Sequence, residues 1–438
     1  LDIWPLDIRR FGPYHRSRAY NVARTREIYG KHYTIHWPNE EHDSARGVRR
    51  SPLYFILKEK GAVFGAKYGW ERPNWFAPEG VAPKDELTFE IPNWFDHVGA
   101  EHKAAREAVV LIDQTSFNKF EIGGPGSLAF LNRLCANNID KPVGSVTYTQ
   151  LCNRRGTIEA DITVARVAEE TFLLVTGTAF GLHDSQWIKK HMPADGSVFF
   201  QDVTSALAVI NVIGPNSRKL LEKVSRDDIG NENFRFSKCK PIAVGHAPVT
   251  ALRVTFVGEL GYELYIPTEF ACHVYESLWD AGQDLGIKNA GYRVINSLHF
   301  EKGYANWASD LTPEYNPYDA GLGFCVALNK GEFIGREALV KIKEKGPKWR
   351  LCSFTIEADE PVMLRGSEPI AYKGKVIGTT TGGGYGYTVG KTIAYGYVPV
   401  ADAKHDDAYE IEVYKEVYPA KREANRALYD PERKKILS

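Results

Sequence analysis

The stretch Asn153-Arg154-Arg155-Gly156-Thr157-Ile158-Glu159-Ala160-Asp161-Ile162-Thr163-Val164 decides how the chain is read. A polar turn, Asn153 to Gly156, feeds an apolar strand running from Ile158 to Val167, and Asp161 interrupts it. A carboxylate on such a strand is unfavourable unless it has chemical work or a partner. Outward from this strand, helix and strand signals alternate. Trp94 to Val110 has helical spacing, and Lys119 to Ile122 is a short apolar strand. The alternation continues to about residue 345 through Gly126 to Leu134, Phe172 to Thr176, Ala206 to Ile213, Pro215 to Val224, Val249 to Val257 and Phe270 to Leu285. The pattern predicts an α+β fold with mainly antiparallel sheets and helices on one face.

From about Trp349 the helix signal ends. Short strands separated by glycine-rich turns follow, at Arg350 to Ile356, Pro369 to Tyr372, Lys375 to Thr381, Thr392 to Val398 and Ala408 to Val413, which predicts a small β-barrel. The run Gly382-Gly383-Gly384-Tyr385-Gly386 lacks the preceding strand and following helix of a dinucleotide loop and reads as a tight hairpin. No other glycine-rich loop suggests FAD or NAD. Residues 1 to about 84 are rich in aromatics, Arg and Pro, with Gly69-Trp70-Glu71-Arg72-Pro73-Asn74-Trp75-Phe76 and no long periodic helix, so an extended wrapping segment is expected there. A chain of 438 residues exceeds what one core supports. The expected division is 1–84 as wrapping segment or linker, 85–345 as two lobes, and 346–438 as the barrel.

Hydrophobic residues make up 43% and charged residues 25%, with no apolar run long enough to span a membrane. Lys and Arg (55) balance Asp and Glu (55), so no global field favours nucleic acid or an anionic membrane, and neither is expected as a partner. The six cysteines are scattered without a CxxC pair, which argues against a zinc ribbon, a redox motif or a disulfide framework. A reducing compartment fits, the cytoplasm or, in a eukaryote, the mitochondrial matrix. The chain opens on Leu1 without a signal segment, as a processed product or a piece of a longer polypeptide would.

Four ordered segments carry a family resemblance. The first is Leu111-Ile112-Asp113-Gln114-Thr115-Ser116 with Ile122-Gly123-Gly124-Pro125 and Ala129-Phe130-Leu131; the second is Tyr148-Thr149-Gln150 leading to Gly156-Thr157-Ile158-Glu159-Ala160-Asp161. The third is Gly258-Glu259-Leu260-Gly261-Tyr262-Glu263-Leu264. The fourth is Asp319-Ala320-Gly321-Leu322-Gly323 with Phe333-Ile334-Gly335-Arg336-Glu337-Ala338-Leu339. The ordered set resembles the aminomethyltransferase (glycine-cleavage T-protein) family. Arg46-Gly47-Val48-Arg49-Arg50-Ser51-Pro52 and the Gly69 to Phe76 segment are similar to the folate-binding half of dimethylglycine and sarcosine dehydrogenases. The resemblance implies a three-lobed folate-binding fold around a central channel, tetrahydrofolate as cofactor, and FAD only in a separate or missing domain.

By that resemblance Asp161 matches the catalytic aspartate, and Glu263 and Tyr148 match pterin-binding residues. The chemistry is apt: a carboxylate steers protons and stabilises a cationic carbon centre, and a second one accepts two hydrogen bonds from an amide-like pterin edge. Glu259 is the competing carboxylate, expected at a surface turn, and Tyr148 taken alone reads as ordinary core. Two positions depart from the family. His299, in Ser297-Leu298-His299-Phe300-Glu301, stands where an arginine would grip a carboxylate, so a weaker grip on folate, or one supplied elsewhere, is expected. Gly177 stands where an asparagine is usual. His299, Trp307 and Tyr385 join Tyr148 and Glu263 as folate-binding candidates. His32 and His36 stand four apart on an extended-looking segment without a neighbouring ligand glutamate, and no metal is assigned. Trp70, Trp75 and Phe76 suit a cage for methylated ammonium, although plain packing is the stronger reading.

The function implied is tetrahydrofolate-dependent one-carbon transfer from a small methylated amine of the dimethylglycine or sarcosine type, giving 5,10-methylenetetrahydrofolate. It would act as the folate half of a flavin-linked demethylating dehydrogenase, whose flavin domain or subunit is the partner. The alternatives are a direct tetrahydrofolate-dependent N-, O- or S-demethylase and a non-catalytic regulatory subunit. Retention of Asp161, Glu263 and Tyr148 favours catalysis. An iron–sulfur-maturation branch is disfavoured, because its cysteine motif is replaced here by Lys330-Gly331-Glu332-Phe333-Ile334-Gly335.

Overall fold

A computed structural model describes residues 3–404 and 408–438. Residues 18–30, expected to be extended, form helix α1 (Arg18–Gly30), with the Ser17 hydroxyl accepting the Tyr20 amide at its start. None of its residues is buried, so it lacks the apolar stripe by which a helix is read from sequence. Its cap and local pairs, such as Glu27 with Lys31 at 3.2 Å, take the place of a core-facing stripe.

After α2 (Tyr54–Glu59) come a hairpin, β1 (Ala62–Lys67) and β2 (Trp70–Phe76), then α3 (Phe95–Glu107), β3 (Val109–Asp113), β4 (Asn118–Gly123) and α4 (Ser127–Leu134). Next are β5 (Val146–Cys152), β6 (Ile158–Ala168), β7 (Thr171–Thr176), α5 (Gly181–His191), β8 (Phe199–Asp202), β9 (Leu207–Ile213) and α6 (Ser217–Val224). They are followed by β10 (Lys238–Val244), β11 (Ala247–Arg253), β12 (Gly261–Pro267), α7 (Ala271–Ala281), β13 (Ile287–Asn289), α8 (Tyr292–Lys302) and α9 (Arg336–Lys345). The last strands are β14 (Trp349–Ile356), β15 (Pro369–Tyr372), β16 (Lys375–Gly386), β17 (Lys391–Pro399), β18 (Tyr409–Val413) and β19 (Glu416–Arg422).

One sheet has the order β10-β11-β12-β9-β3-β13 and is antiparallel except for the β3–β13 pair; the other, β5-β6-β7-β4-β8, is antiparallel throughout. Period-two alternation divides each strand between two faces. On β12, Tyr262, Leu264 and Ile266 bury against Leu221 of α6 and Leu278 of α7, and on β6, Ile158 aside, Ala160, Ile162 and Val164 bury with Phe130 and Leu134 of α4. The opposite faces of the two sheets meet. Val146, Ala165, Leu173 and Val175 of one pack with Val209, Leu252 and Tyr265 of the other. Helices thus cover the outer faces, as the pattern predicted, and the inner faces confront each other.

The last lobe is a closed barrel, β14-β17-β16-β15-β18-β19. The Gly382 to Gly386 run is not a hairpin: it lies inside β16, paired with β17 after a bulge between Thr380 and Gly382. Its glycines serve close packing. A Cβ on Gly383 would strike Leu364 and come within 2.5 Å of the Ile393 carbonyl, while Gly382 and Gly384 lie against Phe300 of α8. The sequence also hid β19, a mostly exposed strand without regular apolar alternation that closes the barrel between β14 and β18. Trp70 and Trp75 are buried; Trp75 stacks on His97 at 5.3 Å and donates its indole N–H to Asp85, which is packing rather than an open cage. No helix among the described residues is long and apolar enough to cross a membrane, and the six cysteines are unpaired.

Candidate functional site

Strands β5 and β6 present one polar patch to the inner face. Antiparallel register sets Tyr148 opposite Thr163 and Gln150 opposite Asp161, and residues opposite each other share a face. Tyr148, Gln150, Glu159 and Asp161 therefore project together, on the same face as Val146 and Ala165. Gln150 donates from Nε2 to Asp161 Oδ1 at 2.8 Å, and the Tyr148 hydroxyl reaches Asp161 as well. Burial pushes the Asp161 carboxyl up to about 7; these two donors hold it down only in part, and the negative Asp184 nearby adds to the rise. Burial also raises the Tyr148 hydroxyl well above its ordinary range, so it stays a donor.

The α5 residue that bears on Asp161 is Asp184, and it is paired with His183, whose Nδ1 is 2.9 Å from Asp184 and Nε2 3.4 Å from Glu159. Burial works against its charge, but the bonds to Asp184 and Glu159 outweigh it and raise the imidazole to about 9. Asp184 is fixed in turn by the Thr176 hydroxyl at 2.5 Å. This trio, which reaches Asp161 through Asp184, is one that the sequence reading did not single out. The Glu159/Asp161 spacing of two, which puts both on one strand face, was the available signal.

Glu263 sits on the inner face of the other sheet, opposite Asn211 of β9. Tyr265, two residues on, donates its hydroxyl to Glu263 Oε2 at 2.7 Å. Burial pushes Glu263 up to about 7, with only that hydroxyl opposing. Asn211 donates to Gln114 at 2.7 Å, while its own Oδ1 is buried without a hydrogen-bond partner. Two acceptors are therefore gathered where donors are wanted, a fit to the N–H-rich edge of a pterin. Sequence reasoning singled out Glu263 but neither Tyr265, which shares its strand face two residues on, nor Asn211, set opposite it by a register that no local pattern reveals.

Asp161 and Glu263 thus stand on the confronting faces of the two sheets. His299 of α8 is almost fully buried, stacks on Phe256 at 5.3 Å, and has Nδ1 at 2.9 Å from the Tyr304 carbonyl. That carbonyl can only accept, so the proton is on Nδ1 and Nε2 is an acceptor. Burial lowers its pKa, and Asp310 only partly opposes this, so His299 is neutral and grips no carboxylate as an arginine would. Trp307 meets Phe180 edge-on at 5.9 Å and packs with Tyr148 on the cluster of Ile158, Phe300 and Tyr395, next to the Asp161 strand. Tyr385 makes its ring contacts with Phe95 and Tyr387, which tie it to α3.

Glu259 is a correction: it is fully buried rather than at a surface turn. Arg106 Nη1 lies 3.3 Å from Glu259 and Nη2 3.0 Å from Glu301, and Tyr429 donates to Glu259. Glu301 also accepts from His102 at 3.2 Å and from the Thr388 amide at 2.7 Å. Burial would raise Glu301, but His102 and Arg106 hold it at about 2. The cluster joins α3, α8, the barrel and the C-terminal segment, so the Gly258-Glu259 stretch is a structural tie.

Residues 53–330 match the family model of the GCVT N-terminal domain, and residues 350–430 that of the glycine cleavage T-protein C-terminal barrel domain. Residues 1–51 match the FAD dependent oxidoreductase central domain. Over 438 residues, all of this chain, there is 38% identity to 4-methylaminobutanoate oxidase (formaldehyde-forming) of Paenarthrobacter nicotinovorans, 52% of which is covered. Mitochondrial dimethylglycine dehydrogenase of Rattus norvegicus is 38% identical over 423 residues, 96% of this chain and 49% of that one. The chain spans about half the length of these curated relatives. The glycine cleavage system aminomethyltransferase T from Bartonella henselae shares the fold, with a TM-score of 0.75 over 88% of this chain and 99% of that one at 23% identity.

Proposed function

The chain belongs to the aminomethyltransferase (glycine-cleavage T-protein) family, and on that premise we propose that it takes a one-carbon unit from a small methylated amine and passes it to tetrahydrofolate, giving 5,10-methylenetetrahydrofolate. The observation that carries this reading is the pair Asp161 and Glu263: two desolvated carboxylates on confronting sheets, neither paired with a cation among the described residues. Tetrahydrofolate, when bound, supplies the nucleophilic nitrogen that accepts the carbon. Glu263, fixed by Tyr265, and the free acceptor of Asn211 hold the donor edge of the pterin. Asp161, pushed up to about 7, would stabilise the cationic carbon centre in its charged form and relay the protons given up as the carbon joins the folate nitrogens to the donor amine, which leaves as its own bond to that carbon breaks. Tyr148 and Trp307 form the adjoining wall.

Generating a cationic carbon from a methylamine is an oxidation, and the residues here do not fit the flavin that would perform it. The one glycine-rich run is a barrel strand, and the match to a flavin-oxidoreductase model is confined to residues 1–51. We assign the oxidation to a flavin domain or subunit outside residues 1–438. Ile3, Leu6, Ile8, Ile28, Tyr33 and Ile35 are all at least half exposed, apolar surface within the N-terminal residues that such a unit would cover. A cytoplasmic or mitochondrial-matrix setting suits folate chemistry and free thiols.

The test is calorimetric titration with tetrahydrofolate of the parent chain and of Glu263→Ala. Micromolar binding by the parent that the variant loses is expected. A parent that does not bind folate removes the reading and leaves the regulatory-subunit alternative.

A further inference from the structure

We propose that Gln150 is a positioning residue for Asp161, holding the carboxylate from the paired strand in the orientation that leaves its second oxygen toward the reacting carbon. The inference rests on the role given to Asp161 above. Gln150 lies directly opposite Asp161 in the β5–β6 register and is fully buried, and its Nε2 is 2.8 Å from Asp161 Oδ1. A carboxylate only accepts, so the NH2 end of the carboxamide must face it and the amide has one working orientation. Tyr148, two residues earlier on the same face, reaches both Gln150 and Asp161 with its hydroxyl. Asp161 is thus approached by two neutral donors carried on one strand.

A merely structural role explains this arrangement poorly. A leucine would fill the same buried volume without desolvating a carboxamide, whereas the bond to a carboxylate favours the charged form specifically. The other groups facing Asp161 cannot substitute. Glu159, on its own strand face, and Asp184, from α5, are carboxylates already engaged with His183. The Cys325 thiol lies beside both Asp161 and Gln150 and is held neutral by burial. No lysine or arginine takes part in the Asp161 hydrogen bonds among the described residues.

The variants are Gln150→Leu and Gln150→Glu. The Asp161 carboxyl is titrated by carbon-13 NMR in the folate-free chain, with Asp161→Asn identifying its resonance, and one-carbon transfer is followed against pH with the flavin partner supplied. Loss of a hydrogen bond to a charged group should raise the Asp161 midpoint in Gln150→Leu by about one pH unit. The acid limb of kcat/KM should move alkaline by the same amount. Gln150→Glu keeps shape and volume but donates only while protonated and repels Asp161 once charged, so the Asp161 midpoint should rise here too and transfer should stay below the parent's across the pH range. An Asp161 midpoint unmoved in both variants overturns the proposal, as does a transfer loss that merely tracks loss of folded protein. Full transfer by Asp161→Asn would instead remove the role of Asp161, with the NMR shift still reporting whether Gln150 governs it.

Discussion

Asp161→Asn should stabilise the folded chain, by an amount that grows from pH 4 to pH 7. Burial moves the Asp161 carboxyl from its ordinary 3.8 up to about 7. Below 3.8 the folded and unfolded chains both hold the proton, and Asp161 exerts no pH-dependent effect. Between the two values the unfolded chain releases a proton that the folded chain keeps, so stability falls by about 1.4 kcal/mol per pH unit; above 7 the loss is constant. The window of about three units corresponds to about 4 kcal/mol, which the residual exposure of Asp161 reduces to roughly 2–3 kcal/mol. Asparagine is neutral throughout and still accepts the Gln150 bond, so it escapes this loss. Thermal unfolding of parent and variant at pH 5 and pH 8 reads the effect: the variant should melt higher at both, with the wider gap at pH 8. An equal gap at the two pH values, or a variant less stable at pH 8, would refute the claim that Asp161 is desolvated without a cation.

Glu263→Gln should weaken tetrahydrofolate binding by roughly 10- to 100-fold, the worth of one or two charge-assisted hydrogen bonds, and Tyr265→Phe by less, since it removes only the group that fixes Oε2; calorimetry measures both. Arg106→Met should cost about 3–5 kcal/mol by leaving Glu259 and Glu301 buried without their cation, seen as a lower melting temperature. Glu301, held at about 2 against an ordinary 4.5, contributes stability that is present above pH 4.5 and lost as pH falls toward 2; the Arg106 variant should lose much of that acid dependence. Gly383→Ala should destabilise the protein by about 1–3 kcal/mol, because its Cβ meets a backbone carbonyl that cannot yield, while Gly384→Ala, facing only the Phe300 ring at 3.3 Å, should be milder in the same melting assay.

The lobes and barrel were legible because strand periodicity and the disappearance of helical spacing near Trp349 are local signals. Helix α1 was not, since it buries nothing and its reason for being helical is a serine cap rather than a stripe. The Gly382 to Gly386 run misled for a related reason: glycine reads as a turn former, yet here it permits the approach of Phe300 and the Leu364 side chain, and that demand comes from residues about 80 and 20 positions away. Glu259 misled likewise, because its partner Arg106 is 153 residues distant. Asp161 stood out as a charge on an apolar strand, and Glu263 through the family resemblance alone. Gln150, Tyr265 and Asn211 did not, because polar residues on strands become informative only once register shows what they face.

The contrast among the buried carboxylates is what separates the site from the scaffold. Glu301 is ringed by Arg106 and His102 and titrates at about 2. Glu101, pushed up to about 8 by burial, has both oxygens engaged by backbone amides, those of Phe76 at 2.7 Å and Gly291 at 2.8 Å, so it is inert despite its pKa. Asp184 is closed by His183 and Thr176. Asp161 and Glu263 differ from all three: each is desolvated, pushed up to about 7, and hydrogen-bonded by neutral side-chain donors with no cation among them in the described residues. Desolvation of that kind is a standing cost to folding, offset only when a complementary charge or donor arrives. In the function proposed above, the complement of Glu263 is a bound edge of N–H groups and that of Asp161 a transient positive charge on the carbon being transferred, so the stability lost at Asp161 and the catalysis proposed for it are two readings of one electrostatic imbalance.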